Sequence, residues 1–288
     1  MKKTRFLLFV AVLGMLLLCV LGSWMTHPAP TVIGGPPADL PVRSVTIPSQ
    51  SGSNLRGWFV PGRQGSGAIL LLHAVRASRL AMLDRARFLH RAGYSVLLVD
   101  FQAHGESPGQ HITFGALESR DARAAARYLR QQVQGEKIGV IGVSLGGAAA
   151  LLGPTPLPVQ ALILESVYPT IEEALTNRLR LHFGEWATVL LPPLLLQIRW
   201  QLGIAAEDLH PIERIGSVGA PVLIIAGSQD QHTTVAESLR LFGAASGPKE
   251  WWGIDGASHT DFYQFAPQEY TTRVLTFFAQ HLRARHSQ

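Results

Sequence analysis

Five short apolar runs punctuate the chain: Ala68–Leu72, Val96–Val99, Ile138–Ile141, Ala161–Leu164 and Val222–Ala226. None alternates with polar residues, so each predicts a strand covered on both faces, as in a parallel sheet between helices. Helical periodicity fills the intervals over Ser78–Ala92, Leu117–Gln134 and Leu145–Leu152. The first two patterns stop at Gly93 and Gly135, a residue type that ends helices because it tolerates positive φ. Ahead of the series, Val42–Ile47 alternates apolar with polar, and Leu55–Val60 follows a Ser-Gly-Ser-Asn turn. That pattern predicts an antiparallel pair of edge strands. Strands alternating with helices in one continuous series predict a doubly wound α/β sheet in a single domain.

The chain opens on a different pattern. Lys2, Lys3 and Arg5 precede an uncharged run from Phe6 to Met25, interrupted only by Gly14, Gly22 and Ser23. Twenty helical residues span about 30 Å, the thickness of a bilayer's hydrocarbon core. The basic flank favours an N-in orientation, which places the rest of the chain on the non-cytoplasmic side of a membrane. Residues 1–25 are therefore expected to be a signal anchor. The alternative is a signal peptide cleaved near Val20-Leu21-Gly22, which releases a secreted or periplasmic protein. Either way the leader is read as a targeting device separate from the fold. Residues 26–41 carry five prolines and the pair Gly34-Gly35, the composition of a semi-extended linker. The globular domain is then 42–288.

Composition narrows the classes that remain. With 47% hydrophobic residues the chain supports a real core, which excludes a disordered tail. Its single cysteine, Cys19, excludes a disulfide scaffold. The eleven histidines show no metal-ligand spacing, and no P-loop or G-x-G-x-x-G opens a helix, so neither a metal nor another cofactor is expected. The net charge of +5 comes from arginine far more than lysine, with Arg76, Arg79, Arg85, Arg87 and Arg91 grouped around the first helical pattern. No nucleic-acid-binding module accompanies them, so a solvated helix face is expected, with attraction to anionic lipid the second reading.

One motif carries chemistry. Gly142-Val143-Ser144-Leu145-Gly146 follows the Ile138–Ile141 run directly and opens the Leu145–Leu152 helix. A G-x-S-x-G in strand–turn–helix context is a nucleophile elbow, which lifts Ser144 on a strained turn at the C-terminal edge of the sheet. The Leu145 amide then points at the position where an oxyanion forms. A serine hydroxyl needs a base, and the base needs an orienting carboxylate. The Val222–Ala226 run leads into Gly227-Ser228-Gln229-Asp230, and Glu250–Trp252 leads into Gly256-Ala257-Ser258-His259. Asp230 and His259 thus follow Ser144 in the order serine, acid, histidine, each in a loop after a strand. Asp255 and Asp261 flank His259 beyond the last strand, outside the place for the acid.

On these residues, together with Leu70-Leu71-Leu72-His73-Ala74 and the segment Asp100–Ser107, the chain resembles the α/β-hydrolase superfamily over residues 42 to 283. Within it the likeness is to the esterase, lysophospholipase and serine-aminopeptidase-like branch. The resemblance implies an α/β-hydrolase fold: a mostly parallel eight-stranded sheet flanked by helices, with a helical cap inserted after the sixth strand. It implies a second oxyanion donor in the turn after the third strand. Here that turn reads His73-Ala74-Val75, with alanine replacing the usual glycine and the Val75 N–H as the donor. It implies a structural role for Asp100–Ser107, so that His104 is a hydrogen-bonded loop histidine. Glu165, an acid position in some hydrolases, is read as a structural carboxylate beside the better-placed Asp230.

More than fifty residues separate Leu164 from Pro221, too many for an ordinary connection, and the cap is expected at about 168–212. Its Trp186–Leu196 stretch is apolar and interrupted at Pro192-Pro193, while Ile171–Leu181 is an amphipathic helix carrying Arg178 and Arg180. Three readings of the apolar surface stand side by side: a lining for an acyl pocket, packing on the domain, or contact with lipid. The expected activity is cleavage of an acyl ester on a small-molecule or lipid substrate by a Ser144–His259–Asp230 acyl-enzyme mechanism. The same triad serves peptidases and acyltransferases, and a non-catalytic, membrane-tethered binding protein on this fold is the alternative from another class.

Overall fold

The computed structural model describes residues 2–283; in the first helix, α1 (Lys2–Thr26), it leaves out the side chains at positions 2, 4–8, 10–13 and 17. Eight strands form one sheet: β1 (Arg43–Pro48), β2 (Asn54–Val60), β3 (Ala68–Leu72), β4 (Ser95–Val99), β5 (Ile138–Val143), β6 (Ala161–Glu165), β7 (Val222–Gly227) and β8 (Lys249–Ile254). Their spatial order is β8-β7-β6-β5-β3-β4-β2-β1. The strands from β8 to β4 run parallel, and β2 is antiparallel to both β4 and β1. The β1–β2 pair forms as the alternation predicts, but only β1 is an edge, because β2 continues inward onto β4.

The unbroken apolar runs are buried throughout β3 and β6 because each sheet face is covered. Helices α3 (Ala116–Gln132), α4 (Leu145–Leu151) and the cap cover one face, while α2 (Leu83–Arg91) and α10 (Pro267–Leu282) cover the other. The register fixes what meets at the C-terminal edge. Leu72 lies opposite Gly142, so the loop after β3 emerges beside the turn after β5. Val143 lies opposite Glu165, and the Ser144 amide donates to the Glu165 carbonyl at 2.8 Å. Ile254 lies opposite Gly227, and a Cβ on Gly227 would overlap the Ala257 carbonyl, so the loops after β7 and β8 are in direct contact.

The long insertion after the sixth strand folds as α5 (Ile171–Phe183), a 3₁₀ stretch (Glu185–Leu190), α6 (Leu191–Leu202), a second 3₁₀ turn (Ala206–Leu209) and the short α7 (Pro211–Ile215). Pro192 and Pro193 do not break this run. They sit in the first turn of α6, where the amides have no intrahelical partner and a fixed φ favours the helix.

Three other expectations change. The leader is not separate from the fold: its last turns rest on the cap, where Gln197 Nε2 donates to the Cys19 carbonyl at 2.9 Å, and Thr26 is fully buried. Residues 26–41 are not a free spacer either. The amide of Ile112 donates to the Thr26 carbonyl, and Ala29–Pro30 pairs in parallel with His104–Gly105. The arginine group around α2 is a solvated face only in part: Arg76 and Arg91 are exposed, but the other three are engaged by carboxylates. Arg79 and Arg85 are buried, the first paired with Asp100 and Glu106 and the second with Glu165 and Asp261, while Arg87 is bound by Asp39 and Asp84. A one-dimensional pattern groups the arginines near one helix; apart from Asp84 on α2 itself, the opposing carboxylates come from other parts of the chain. Among the described residues no helix is long and apolar enough to cross a membrane. Much of the side-chain content of the anchor expectation lies outside the described residues.

Candidate active site

Ser144 stands between β5 and α4 with φ 49° and ψ −110°, a conformation that non-glycine residues rarely adopt. Small neighbours make it possible. A Cβ on Gly146 would overlap the Leu72 carbonyl, and one on Gly142 would lie 2.6 Å from Gly147 Cα. The elbow's glycines are therefore required by backbone packing between β3, β5 and α4. Ser144 itself is buried, at the floor of a cavity of about 200 Å³.

Asp230 and His259 meet directly. The Asp230 carboxylate, buried in the loop after β7, accepts four hydrogen bonds. Its Oδ1 takes the amides of His232 (2.8 Å) and Thr233 (2.9 Å), and its Oδ2 takes the Ser166 hydroxyl and His259 Nδ1, both at 2.8 Å. Burial by itself raises this carboxyl's pKa, but the bond and charge of His259, the Thr233 amide and the Ser166 hydroxyl outweigh it and hold the pKa below the ordinary value. The acceptor role of Oδ2 assigns the proton to His259 Nδ1, leaving Nε2 as the free base. Asp230 is not a helix cap: the helix that follows, α8 (Val235–Ala244), is capped by Thr234 with Glu237 reaching back.

The third pairing is looser. Among the described residues no hydrogen bond joins Ser144 Oγ to His259 Nε2. They lie on adjoining hollows, one lined by Val75, Ser144 and Leu145, the other by Ala74, Val143, Ser166 and His259. Catalytic hydrogen bonds of this kind commonly tighten only when substrate is bound.

Val75 and Leu145 border the same cavity, and neither backbone amide has a backbone acceptor among the described residues. The alanine at position 74 does not strain its turn. The left-handed residue is Arg76, at φ 58°. His73 is buried, with Nδ1 donating to the Ala74 carbonyl (2.7 Å) and Nε2 accepting from the Phe101 amide (3.1 Å). Burial and the nearby His104 push its pKa down to about 3, so it stays neutral and braces the loop. His104 is buried too and uses Nδ1 on the Gln102 carbonyl, while its Nε2 has no partner among the described residues. Glu165 sits in a buried cluster: Arg85 Nη2 bonds it at 2.8 Å, Arg85 Nε donates to the Tyr270 hydroxyl at 2.9 Å, and that hydroxyl donates to Glu165 in turn. Asp255 is bound to the Ser228 hydroxyl, and Asp261 caps α9 (Phe262–Phe265) and pairs with Arg85.

Ser166 and His232 escaped the sequence reading, and Arg178 was read only as a charge on the cap's first helix. Ser166, at φ 47°, holds the acid of the pair. A serine directly after a strand is too ordinary to single out, although Glu165-Ser166 follows the strand next to the elbow. His232 places its ring 4.9 Å from the His259 ring. Burial, then the charges of His259 and Arg178, push its pKa down to about 4, so a neutral ring faces the base. Arg178 lines the cavity itself. Of the five non-glycine residues at positive φ among the described residues, Arg76, Phe114 and Ser144 line the cavity and Ser166 binds Asp230, so the backbone strain concentrates here.

The remaining cavity walls are apolar apart from His182 on α5. Ile171, Leu175, Leu179 and Phe183 come from α5, Tyr168 and Phe114 from loops, and Leu21, Trp24 and Met25 from the end of α1.

Comparison with known proteins agrees with the fold. A sequence model of the alpha/beta hydrolase family matches residues 69–273. An uncharacterized protein of Mycobacterium tuberculosis is 34% identical over 76% of this chain and 73% of its own length. The alpha/beta hydrolase domain-containing protein WAV2 of Arabidopsis thaliana is 28% identical over 70% of this chain and 66% of its own. Among solved structures, an esterase of Pyrococcus furiosus superposes with a TM-score of 0.74 at 24% identity, covering 90% of this chain and 98% of that one. At that identity the likeness speaks for the fold.

Proposed function

Since the chain belongs to the alpha/beta hydrolase family, we propose that it is a serine hydrolase that cleaves acyl esters, of carboxylesterase or lysophospholipase type, through an acyl-enzyme. The observation that carries this reading is the His259–Asp230 hydrogen bond beside a strained Ser144 on the floor of an apolar cavity. In this scheme His259 Nε2 takes the proton of Ser144 Oγ as the oxygen attacks the acyl carbonyl. The amides of Leu145 and Val75 receive the charge on the carbonyl oxygen. His259 then gives the proton to the leaving alcohol, and water repeats the cycle on the acyl-enzyme. Asp230 keeps Nδ1 protonated and stabilises the imidazolium. The acyl chain lies between α5 and the end of α1, and the apolar α5 side chains lining the cavity with Ser144 support the pocket reading of the cap. Esterase neighbours favour esters over peptides or acyl transfer to another acceptor.

A second part of the proposal concerns placement. The Phe6–Met25 sequence is read as a membrane anchor retained in the mature protein, with the domain on the non-cytoplasmic side. The bond from Gln197 to the Cys19 carbonyl and the use of Leu21 in the cavity wall support retention over cleavage. Trp186, Val189, Leu196 and Trp200, exposed on the adjoining cap, extend the apolar surface beside α1.

Reaction of membrane fractions and purified protein with a fluorophosphonate probe tests both parts. The expected result is labelling in alkali-resistant membranes, lost in Ser144→Ala, with turnover of p-nitrophenyl esters. A folded wild-type protein that takes no label supports the binding-protein alternative instead.

A further inference from the structure

Six arginines of this protein are paired with carboxylates, and most of the others among the described residues are exposed to solvent. The two most deeply buried guanidinium groups, Arg79 and Arg85, each touch two acids, and the surface residues Arg87, Arg180, Arg240 and Arg273 are paired as well. Arg178 is different. It projects from α5 into the largely apolar cavity above Ser144, and its one hydrogen bond runs from Nη1 to the Ala174 carbonyl of its own helix, at 2.7 Å. Among the described residues it forms no ion pair. Burial lowers its pKa, and Tyr168, Asp230 and Glu237 act on it only through space.

Arg76 borders the same cavity from the loop after β3, also without a carboxylate partner among the described residues. It is held in place from one side: its guanidinium lies 4.9 Å from the Trp24 ring and donates to the Trp24 carbonyl, on a backbone at φ 58°. A cation facing an apolar cavity is costly unless an anion joins it, and charge-assisted hydrogen bonds to a carboxylate or phosphate are the strong ones. The five donors of a guanidinium match such an oxyanion, and Arg178 spends one of them on its own helix.

We infer that Arg178, assisted by Arg76, is a specificity-determining residue that binds a carboxylate or phosphate carried by the acyl-ester substrate. The substrate class is thus an anionic amphiphile: an apolar chain along α5 and α1, an ester at Ser144, and a negative group at Arg178. This rests on the hydrolase reading above and narrows it.

The test uses the full-length chain and two matched pairs of esters. In the first pair the charge is on the acyl side, p-nitrophenyl hydrogen glutarate against p-nitrophenyl valerate. In the second it is on the alcohol side, octanoyl glycerol phosphate against octanoyl glycerol. The readout is the ratio of kcat/KM, anionic over neutral, which cancels any general loss of activity. The wild type is expected to favour the anionic member of one pair by about tenfold or more, and Arg178→Met to lower that ratio by about tenfold, mainly through KM. Arg178→Lys, keeping the charge without the planar fork, is expected to fall between the two. The pair that responds locates the negative group. No anionic preference in either pair, or a preference untouched by Arg178→Met, overturns the inference. If Ser144 takes no fluorophosphonate label and neutral esters are not turned over, it is the hydrolase reading that fails.

Discussion

Replacing Asp230 separates its catalytic from its structural role. The carboxylate has two working sides: Oδ1 serves the His232 and Thr233 amides, and Oδ2 serves Ser166 and His259. Asp230→Asn keeps an acceptor for the two amides but turns a donor toward His259. The ring must then flip its tautomer or rotate, and Nε2 loses its role as base. Substitutions of this kind in serine hydrolysis cost about 10⁴-fold in kcat, or about 5.5 kcal/mol of transition-state stabilisation. Asp230→Ala removes the acceptor as well and leaves two amides and a hydroxyl unsatisfied in a buried loop. Each such group costs about 1–3 kcal/mol where water cannot replace the partner; the Thr233 amide and the Ser166 hydroxyl are the fully buried two, so a stability loss of about 2–6 kcal/mol is expected for alanine and little for asparagine. Steady-state hydrolysis of a p-nitrophenyl ester, beside urea unfolding of both variants, reads the two effects. Comparable loss of activity in both with unequal loss of stability is the expected pattern. An asparagine variant within tenfold of wild type would refute the role assigned to the acid.

Two further predictions follow from buried charges. Asp121 lies beneath the Ser49 hydroxyl and the Gln102 amide, and burial pushes its pKa up to about 7. The unfolded chain therefore releases this proton near pH 4 while the folded protein keeps it, so this group's contribution makes stability fall as pH rises from about 4 to 7 and then level off; Asp121→Asn is expected to flatten Tm over that window, and an unaltered slope counts against the assignment. Arg85→Met strands the Glu165 carboxylate, whose own main-chain carbonyl accepts from the Ser144 amide. Breaking a buried pair from one side costs about 3–5 kcal/mol. The double variant Arg85→Met/Glu165→Met should recover part of it, and a double variant no more stable than the single would show that the isolated charge is not the cause.

The fold was legible because its signals are local. A run such as Ala68–Leu72 has no polar face to offer solvent, so it belongs between helices whatever its neighbours are. The elbow is equally local: Gly142 and Gly146 are needed by backbones within a few residues of Ser144 or in the adjacent strand. Chain order then placed Asp230 and His259 after their strands. Their contact depends on the parallel register of β7 with β8, and the structure forms it.

What the sequence left open are pairings across long separations. Arg85 reads as one of several basic residues near a helix until folding brings it to Glu165, 80 positions on, and to Tyr270, 185 positions on. Ser166 is an ordinary serine until β6 sets it beside the loop of β7. The leader reads as a separate segment until its last turn forms a wall of the cavity with α5. Patterning determined which residues are covered and where the nucleophile turns, because those depend on neighbours in sequence. The tertiary structure alone decided which charges are neutralised and which, like Arg178, are left facing the cavity, because compensation between charges depends on distance in space.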